Sequence, residues 1–258
     1  MKVTVAGSGN VAEALAVALA SAGIEVVQVF ARNEPRARAL AHMTGARWCT
    51  SPKGLLPADA VIIAVSDSAV AEVAASLAAD KGTIVAHTAG CLGLDAIPAP
   101  RRAVFYPFMT FTAGRRVDWR DVPLFLEASD ADTLAAMRSL AESLSRRVVV
   151  ADAALRARIH LAGVFANNFA NAMFACAADA VRAAGLDFGI LEAIITETAA
   201  KAVGSGDPAS VQTGPAARGD AATLARHRAM LDEGGDPLSG EIYDKISEYI
   251  WQKGTSRR

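Results

Sequence analysis

The sequence predicts an α/β fold in which a doubly wound parallel sheet is followed by an all-α C-terminal domain. Over the first half of the 258 residues, short apolar runs alternate with helical patterns, as in βαβ units around a parallel sheet. After Asp152 the strand signals stop, and the rest of the chain has helical patterns only. A hydrophobic content of 52% is enough for a substantial core. We therefore expect two domains, residues 1–152 and 153–258.

The elements follow from the apolar patterns, taken in chain order. The first strand, Lys2–Ala6, leads into a helix over Val11–Ser21, with Asn10 as its cap and Gly23 at its stop. The run AVIIAV at Ala60–Val65 is typical of a buried strand. Further strands are predicted at Glu25–Phe30, Thr83–Ala86, Val122–Glu127 and Arg147–Val150, and further helices at Pro35–Met43, Ala69–Ala79, Ala131–Leu144, Ala153–Ala184 and Ser239–Gln252.

Charge and cysteine usage exclude several classes of protein. The formal net charge of -1 leaves no bulk attraction to nucleic acid or to an anionic membrane. No stretch approaches the roughly 18 uninterrupted apolar residues of a membrane span. Cys49, Cys91 and Cys176 are odd in number and widely spaced, so neither a disulfide framework nor a metal site is predicted. A globular protein of the reducing cytoplasm fits these observations best.

A glycine-rich turn stands between the first predicted strand and the first predicted helix. Gly7 allows a tight turn, Gly9 allows the backbone to approach a pyrophosphate, and Ala12 replaces a third glycine where helix meets strand. The helix N-terminus adds free N–H groups and a partial positive charge. This context predicts a Rossmann-type dinucleotide site, rather than a turn that merely joins strand to helix, formed by Gly7, Ser8, Gly9, Asn10, Val11 and Ala12.

The residues after the second strand indicate which dinucleotide binds. An acidic residue at this position would hold the ribose 2′-hydroxyl of NAD, but here the chain reads Phe30-Ala31-Arg32-Asn33. Arg32 and Arg36 suit a 2′-phosphate, and Asn33 can add a neutral hydrogen bond. NADP(H) is therefore favoured over NAD(H). The alternative is that the arginines form a solvated helix face and that Glu34 serves the ribose.

Polar residues also follow later strands, where ligands bind in such sheets. Val65, Ser66 and Asp67 follow one strand, and His87 and Thr88 follow another, so all five are candidate cofactor contacts. Asp67 is equally well explained as a helix cap, and His87 is better explained as a hydrogen-bonded structural histidine.

The long C-terminal helix carries a polar stripe. At about 100° per residue, His160, Asn167 and Asn171 fall on one face, with Asn168 on its flank. Such groups need partners when buried, so the stripe faces a ligand, another chain or an internal hydrogen-bond network. Further along, the turn-rich segment from Gln212 to Asp220 precedes a helix that bears His227.

These motifs together resemble a family in which a Rossmann-like NADP-binding domain is fused to a helical domain of unknown function, of the domain-of-unknown-function 2520 type. The resemblance covers nearly the whole chain through GSGNVA, AVSDSAV at 64–70, HTAG at 87–90, YPFMTF at 106–111, HLAGVFANNF at 160–169 and TGPAARGD at 213–220. The layout is similar to pyrroline-5-carboxylate reductase and the β-hydroxyacid dehydrogenases. The resemblance places His160 and Asn168 on the helix that carries the catalytic lysine and asparagine of those dehydrogenases, and it implies that one cleft is lined by Thr213, Gly214, Pro215, Arg218 and Asp220.

The stripe has no lysine, so the lysine-based chemistry of those dehydrogenases does not transfer. His160 is then the favoured proton carrier, because an imidazole with an ordinary pKa of about 6.5 exchanges protons near neutrality, with His87 left as the other candidate. Asn168 would orient a substrate that also contacts Tyr106 and Asn171. Arg218 would hold an anionic group, unless it pairs with Asp220.

Two hypotheses for the function remain. The first is an oxidoreductase that transfers a hydride between NADP(H) and a small polar metabolite bound between the two domains. The second is a non-catalytic NADP(H)-binding or sensing protein. In either case, the apolar residues on several faces of the long helix predict a homodimer formed through the helical domain.

Overall fold

The computed structural model describes residues 1–77, 79–234 and 237–255, and of Thr255 only the backbone. The chain forms two compact units that divide between Asn167 and Asn168. The sequence predicted a boundary after Asp152. The difference arises because the first turns of the following helix pack on the sheet of the first unit.

The first unit contains an eight-stranded sheet, and the predicted fold class is confirmed. Its order is β3-β2-β1-β4-β5-β6-β7-β8, whose first six strands repeat the 3-2-1-4-5-6 order of doubly wound sheets. The strands are β1 Lys2–Ala6, β2 Glu25–Phe30, β3 Arg47–Cys49, β4 Ala60–Ile63, β5 Ile84–His87, β6 Arg102–Pro107, β7 Leu124–Ala128 and β8 Val148–Val150. β3 and β6 were not predicted. The sheet is parallel except at one pair, where β7 is antiparallel to β6.

Four helices cover the two faces of the sheet: α1 Asn10–Ser21, α2 Glu34–Thr44, α3 Asp67–Ser76 and α4 Ala131–Glu142. One apolar cluster joins the sheet to α1, α2 and α4 through side chains such as Leu15, Leu40 and Met137. A second cluster lies on the other face, where Val70 of α3 packs. Helix α3 ends before the predicted Ala79, and Ala78 lies outside the described residues.

The topological switch point lies at β1, because the chain adds β2 and β3 on one side of this strand and β4 and the later strands on the other side. At the carboxyl end of β1, Gly7 has a φ of +143°, and a Cβ built on it would lie 2.1 Å from the carbonyl oxygen of Ala64. Only glycine fits a backbone approach this close. The turn therefore brings the start of α1 directly beside the carboxyl end of β4. Gly9, and not the predicted Asn10, is the N-cap of α1.

Helix α5, Ala153–Gly163, starts at an Asp152 cap whose carboxylate accepts a hydrogen bond from the Leu155 N–H at 2.8 Å. Its Arg156 side chain is completely buried. The guanidinium donates to the Ala151 carbonyl at 2.7 Å and the Leu92 carbonyl at 2.8 Å, and it forms an ion pair with Glu127 of β7. Arg156 thus fixes α5 to the sheet and to the loop after β5.

A π-helical turn, Val164–Phe169, follows α5 and leads into the second unit. That unit contains α6 Ala170–Ala183, α7 Glu192–Ser205, α8 Pro215–Arg218, α9 Ala221–Glu233 and α10 Pro237–Thr255. In the described part of this unit, only Ala178 and Ala216 are buried hydrophobic residues.

The helical run Ala153–Ala183 is long and apolar enough to cross a membrane by length and composition alone, and only 6% of its most apolar stretch is buried. The search of the sequence for about 18 uninterrupted apolar residues did not find this helical run, because Asn167, Asn168 and Asn171 interrupt its apolar residues.

We predict that Arg156→Ala destabilises the first unit by about 3 kcal/mol, because the substitution leaves Glu127 and two carbonyl groups without their partner. The free energy of unfolding from urea titrations measures the effect. Arg158→Ala is the matched control, since Arg158 is exposed two residues along the same helix. Equal stabilities of the two variants would contradict the anchoring role of Arg156.

Candidate cofactor site and active site

A cleft of about 550 Å³ opens at the carboxyl ends of β1, β2 and β4, at the switch point. Five of the six predicted turn residues line it, and the sixth, Ala12, is buried beside Gly7. The lining residues are Ala6, Gly7, Ser8, Gly9, Asn10, Val11, Phe30, Ala31, Arg32, Asn33, Ala64, Val65, Ser66, Ala69, Val73 and Phe111.

The start of α1 fits a pyrophosphate. A Cβ built on Gly9 would meet no atom within 4 Å, so open space lies directly above this backbone. The first N–H bonded within the helix is that of Glu13, which donates to the Gly9 carbonyl at 2.9 Å. The preceding N–H groups therefore have no partner within the helix, and they lie at the positive end of its dipole.

The residues after β2 are arranged for a phosphate group on the ribose. Arg32 and Asn33 line the cleft, whereas Arg36 is exposed on α2 and does not. The Asn33 carboxamide oxygen accepts a hydrogen bond from the Arg36 N–H at 3.0 Å and so caps α2, which leaves its NH₂ group for a ligand. Glu34, the alternative ribose partner, faces a separate depression with Arg38 and His42.

After β4, Val65 and Ser66 line the cleft, and Ser66 is the N-cap of α3. Asp67 is the first residue of that helix and is exposed, where a negative charge stabilises the helix N-terminus. Thr88 is half-buried after β5, and its hydroxyl group donates to the Ile63 carbonyl at 3.4 Å.

His87 is not placed to contact a ligand, which is at odds with its prediction as a cofactor residue. Its side chain is completely buried, Nδ1 accepts the Ala89 N–H at 3.2 Å, and Nε2 lies 3.2 Å from the Gly93 carbonyl. Burial lowers the pKa of His87, so the ring is neutral at pH 7 and Nε2–H donates. His87 therefore shapes the loop after β5, and the choice of proton carrier falls to His160.

Tyr106 and His160 form a hydrogen-bonded pair above the carboxyl ends of β5 and β6. The phenol oxygen lies 3.1 Å from Nδ1 of His160. Gly90 faces both rings, since a Cβ built there would lie 2.7 Å from Cζ of Tyr106 and 3.0 Å from Nδ1 of His160. The loop after β5 therefore touches the pair, which no larger residue at position 90 would allow.

Burial, with smaller contributions from the charges of Cys91 and Asp67, raises the pKa of Tyr106 to about 12. The phenol consequently keeps its proton at neutral pH. Its ring is fixed by Phe108 and Phe125, whose centroids lie 6.1 and 6.2 Å away. Tyr106 and His160 are each only half-buried, so the pair is held rigidly and is still accessible.

The remaining predicted residues lie in the second unit. Asn168, Asn171, Thr213 and Arg218 are exposed, and Gly214 and Pro215 are half-buried. The predicted stripe assumed 3.6 residues per turn, but the π-helical turn holds about one residue more and shifts every later position.

Asp220 caps α9, and this explains the residue without a ligand. Its carboxylate accepts hydrogen bonds from the Thr223 hydroxyl at 2.7 Å and from the Thr223 N–H at 3.0 Å. These bonds, with a smaller contribution from the Arg218 charge, lower the pKa of Asp220.

The sequence analysis missed three residues that shape these sites, namely Phe111, Gly90 and Arg156. Phe111 and Gly90 are the last residues of the YPFMTF and HTAG motifs, so the motifs themselves were the available signal. For Arg156 the signal was weaker, since an arginine in a predicted helix is most often a solvated position.

Comparisons with known proteins bear on the family and on the cofactor. Residues 2–89 match the family described as NADP oxidoreductase, coenzyme F420-dependent, and residues 122–250 match domain of unknown function 2520. No curated protein matches the chain significantly. A suggested NADP oxidoreductase, BF3122 from Bacteroides fragilis, is 36% identical, with 97% of this chain and 98% of that chain covered and a TM-score of 0.91.

Two more distant structures share the fold. An imine reductase from Pseudomonas sp. is 21% identical, with a TM-score of 0.63 over 99% of this chain and 94% of that chain. A reductive aminase from Aspergillus terreus, in complex with NADPH and ethyl-5-oxohexanoate, is 15% identical, with a TM-score of 0.69 over 98% and 94%. The chain therefore belongs to the oxidoreductase family that joins an NADP-binding Rossmann domain to domain of unknown function 2520, and its cofactor is NADP(H).

Proposed function

We propose that the chain is an NADP(H)-dependent reductase that delivers a hydride to the C=O or C=N carbon of a small polar metabolite. The observation that carries this proposal is the accessible Tyr106–His160 pair at the carboxyl edge of the sheet, beside the loops that follow β4 and β5. Two proteins of the same fold are named as an imine reductase and a reductive aminase, which supports the choice of substrate group.

Reduction of a C=O or C=N group needs a hydride and a proton. NADPH, when bound, supplies the hydride. His160 is suited to the proton, because its Nδ1 is held by the Tyr106 hydroxyl while Nε2 has no partner among the described residues. We assign His160 as the general acid and Tyr106 as the residue that orients it.

Further assignments stay predictions from the sequence. They are the orienting role of Asn168, a substrate contact by Asn171 and the segment Thr213–Asp220, and the binding of the substrate between the two domains. The alternative of a non-catalytic NADP(H) sensor needs no accessible proton carrier, so the half-buried His160 favours the reductase.

We further propose that the second unit is covered by a second copy of the chain. Large apolar side chains are exposed on its helices, with Ile190, Ile194 and Val203 at 62%, 63% and 84%. A unit with so few buried apolar residues has too little core to be stable alone. A symmetric homodimer is the most common solution for such a surface, and obligate dimers bury large apolar interfaces.

A membrane is the less favoured partner for this surface. The helical run that contains α5 and α6 carries Arg156 in its first turn, where the guanidinium is buried against the sheet and paired with Glu127. Its first turns therefore belong to a water-soluble sheet domain.

We predict that Arg32→Ala weakens NADPH binding and leaves NADH binding unchanged. A hydrogen bond to a charged group contributes about 1.5–3 kcal/mol, which corresponds to a factor of about 10 to 100 in the dissociation constant. Calorimetric titration measures both cofactors. Arg38→Ala is the control, because Arg38 is exposed on α2 and faces away from the cleft. An NADPH affinity that is the same in all three proteins would refute the assignment.

We predict that His160→Ala lowers the rate of NADPH oxidation about 10²- to 10⁴-fold, the range for loss of a general acid, while NADPH affinity stays the same. The assay follows NADPH absorbance with panels of carbonyl and imine compounds. His42→Ala, on the far end of α2, serves as the control. Wild-type protein that turns over no compound in either panel would argue for the sensor.

We predict that light scattering gives twice the chain mass of 26.7 kDa. Ile194→Asp should shift the protein to the monomer, because the new charge would be buried in the interface. Lys201→Asp introduces the same side chain on α7, at an exposed position whose ion pair with Glu197 contributes little. A monomer that cosediments with lipid vesicles would identify the membrane as the partner instead.

A further inference from the structure

Residues 108–118, here called the strap, connect β6 to the single helical turn Trp119–Asp121. The strap begins inside the YPFMTF motif, whose last residue, Phe111, has no role in the function described above. Phe111 nevertheless lines the same cleft as Gly9 and Val11. One residue of a distant loop therefore forms a wall of the dinucleotide cleft.

Two hydrogen bonds tie the strap to α1. The Asn10 side-chain NH₂ donates to the Phe111 carbonyl at 3.0 Å, and the Gly114 N–H donates to a Glu13 carboxylate oxygen at 2.9 Å. Each bond joins residues 101 positions apart in sequence. In both bonds the partner of the strap is a residue in the first turn of α1, the helix whose N-terminus is suited to the pyrophosphate.

The ring of Phe111 is supported from behind. It stacks on Trp119 with centroids 5.3 Å apart and an interplanar angle of 24°. Trp119 is itself buried, at 7% exposure, so it is a fixed platform. Stacking on one face fixes the ring where it borders the cleft.

We infer that the strap is part of the NADP(H) site, where Phe111 covers the pyrophosphate-binding turn and the bonds from Asn10 and Glu13 hold it in place. A cover at this position excludes water from the helix N-terminus, and charge–dipole attraction is stronger where water is excluded. The two bonds thus hold one wall of the cofactor site, and loss of either bond should speed cofactor release.

Stopped-flow fluorescence of bound NADPH, chased with excess NADP, measures the dissociation rate directly. A hydrogen bond contributes a net factor of about five, so Asn10→Ala and Glu13→Ala should each speed release by about that factor. Phe111→Ala should speed release by about tenfold, because an aromatic wall of the site is lost.

Glu13→Gln separates the hydrogen bond from the charge. The glutamine keeps an oxygen that can accept the Gly114 N–H but carries no charge. If the hydrogen bond matters, Glu13→Gln releases NADPH like the wild type and Glu13→Ala releases it faster. Equal changes in both variants would mean that only the charge acts, and wild-type release rates in all the variants would overturn the proposal.

Hydrogen exchange of the wild-type protein provides a test that needs no variant. We expect the amides of residues 108–118 to become protected when NADPH binds, and residues 131–142 of α4 to stay unchanged. Protection unaltered by NADPH would place the strap outside the site, even if the variants misfold. Neither readout involves turnover, so either result is independent of whether the chain reduces C=O or C=N groups.

Discussion

The position of His160 depends on the buried guanidinium of Arg156. Removing a cation from water costs several kcal/mol, and here Glu127 and two backbone carbonyls offset that cost. These partners come from β7, from the residue after β8 and from the loop after β5. Helix α5 can therefore bring the guanidinium to all three of them in one orientation only. Residues four apart lie on the same side of a helix, and His160 is four residues beyond Arg156. The orientation that satisfies Arg156 therefore also directs His160 toward Tyr106.

Much of the first unit could be predicted because its strands are apolar and its helices amphipathic. β1 and β2 begin and end at the predicted residues. β3 was missed since it has only three residues, and β6 since it begins with an arginine and ends with a proline. The direction of β7 is not encoded in its own residues. A usable signal lay in the connection before it, since parallel neighbours need a crossover, usually helical, and residues 108–123 contain only a single short turn.

The site was predictable where one local segment determines it. The glycine turn is such a segment. Together with the residues after β2 it was enough to predict NADP(H) as the cofactor. For His87 both a ligand contact and a structural role stayed open, because sequence alone does not show on which side of a buried strand end a side chain lies. The π-helical turn was unpredictable for a related reason, since a change of helical period leaves no mark on the apolar pattern. The bonds from Asn10 and Glu13 join distant positions, which a single sequence does not reveal.

The reversed direction of β7 has a consequence for the path of the chain. β8 runs parallel to β7, and its last residue, Val150, is level with Leu126, which in turn pairs with Phe105 of β6. The chain therefore leaves β8 heading away from the edge where the cofactor cleft opens, and α5 must turn back. Helix α5 therefore runs along the sheet back toward the carboxyl ends of β5 and β6, where His160 contacts Tyr106. Had β7 and β8 followed the direction of the first six strands, α5 would begin at that edge and run away from it, and the imidazole would finish at the opposite end of the sheet.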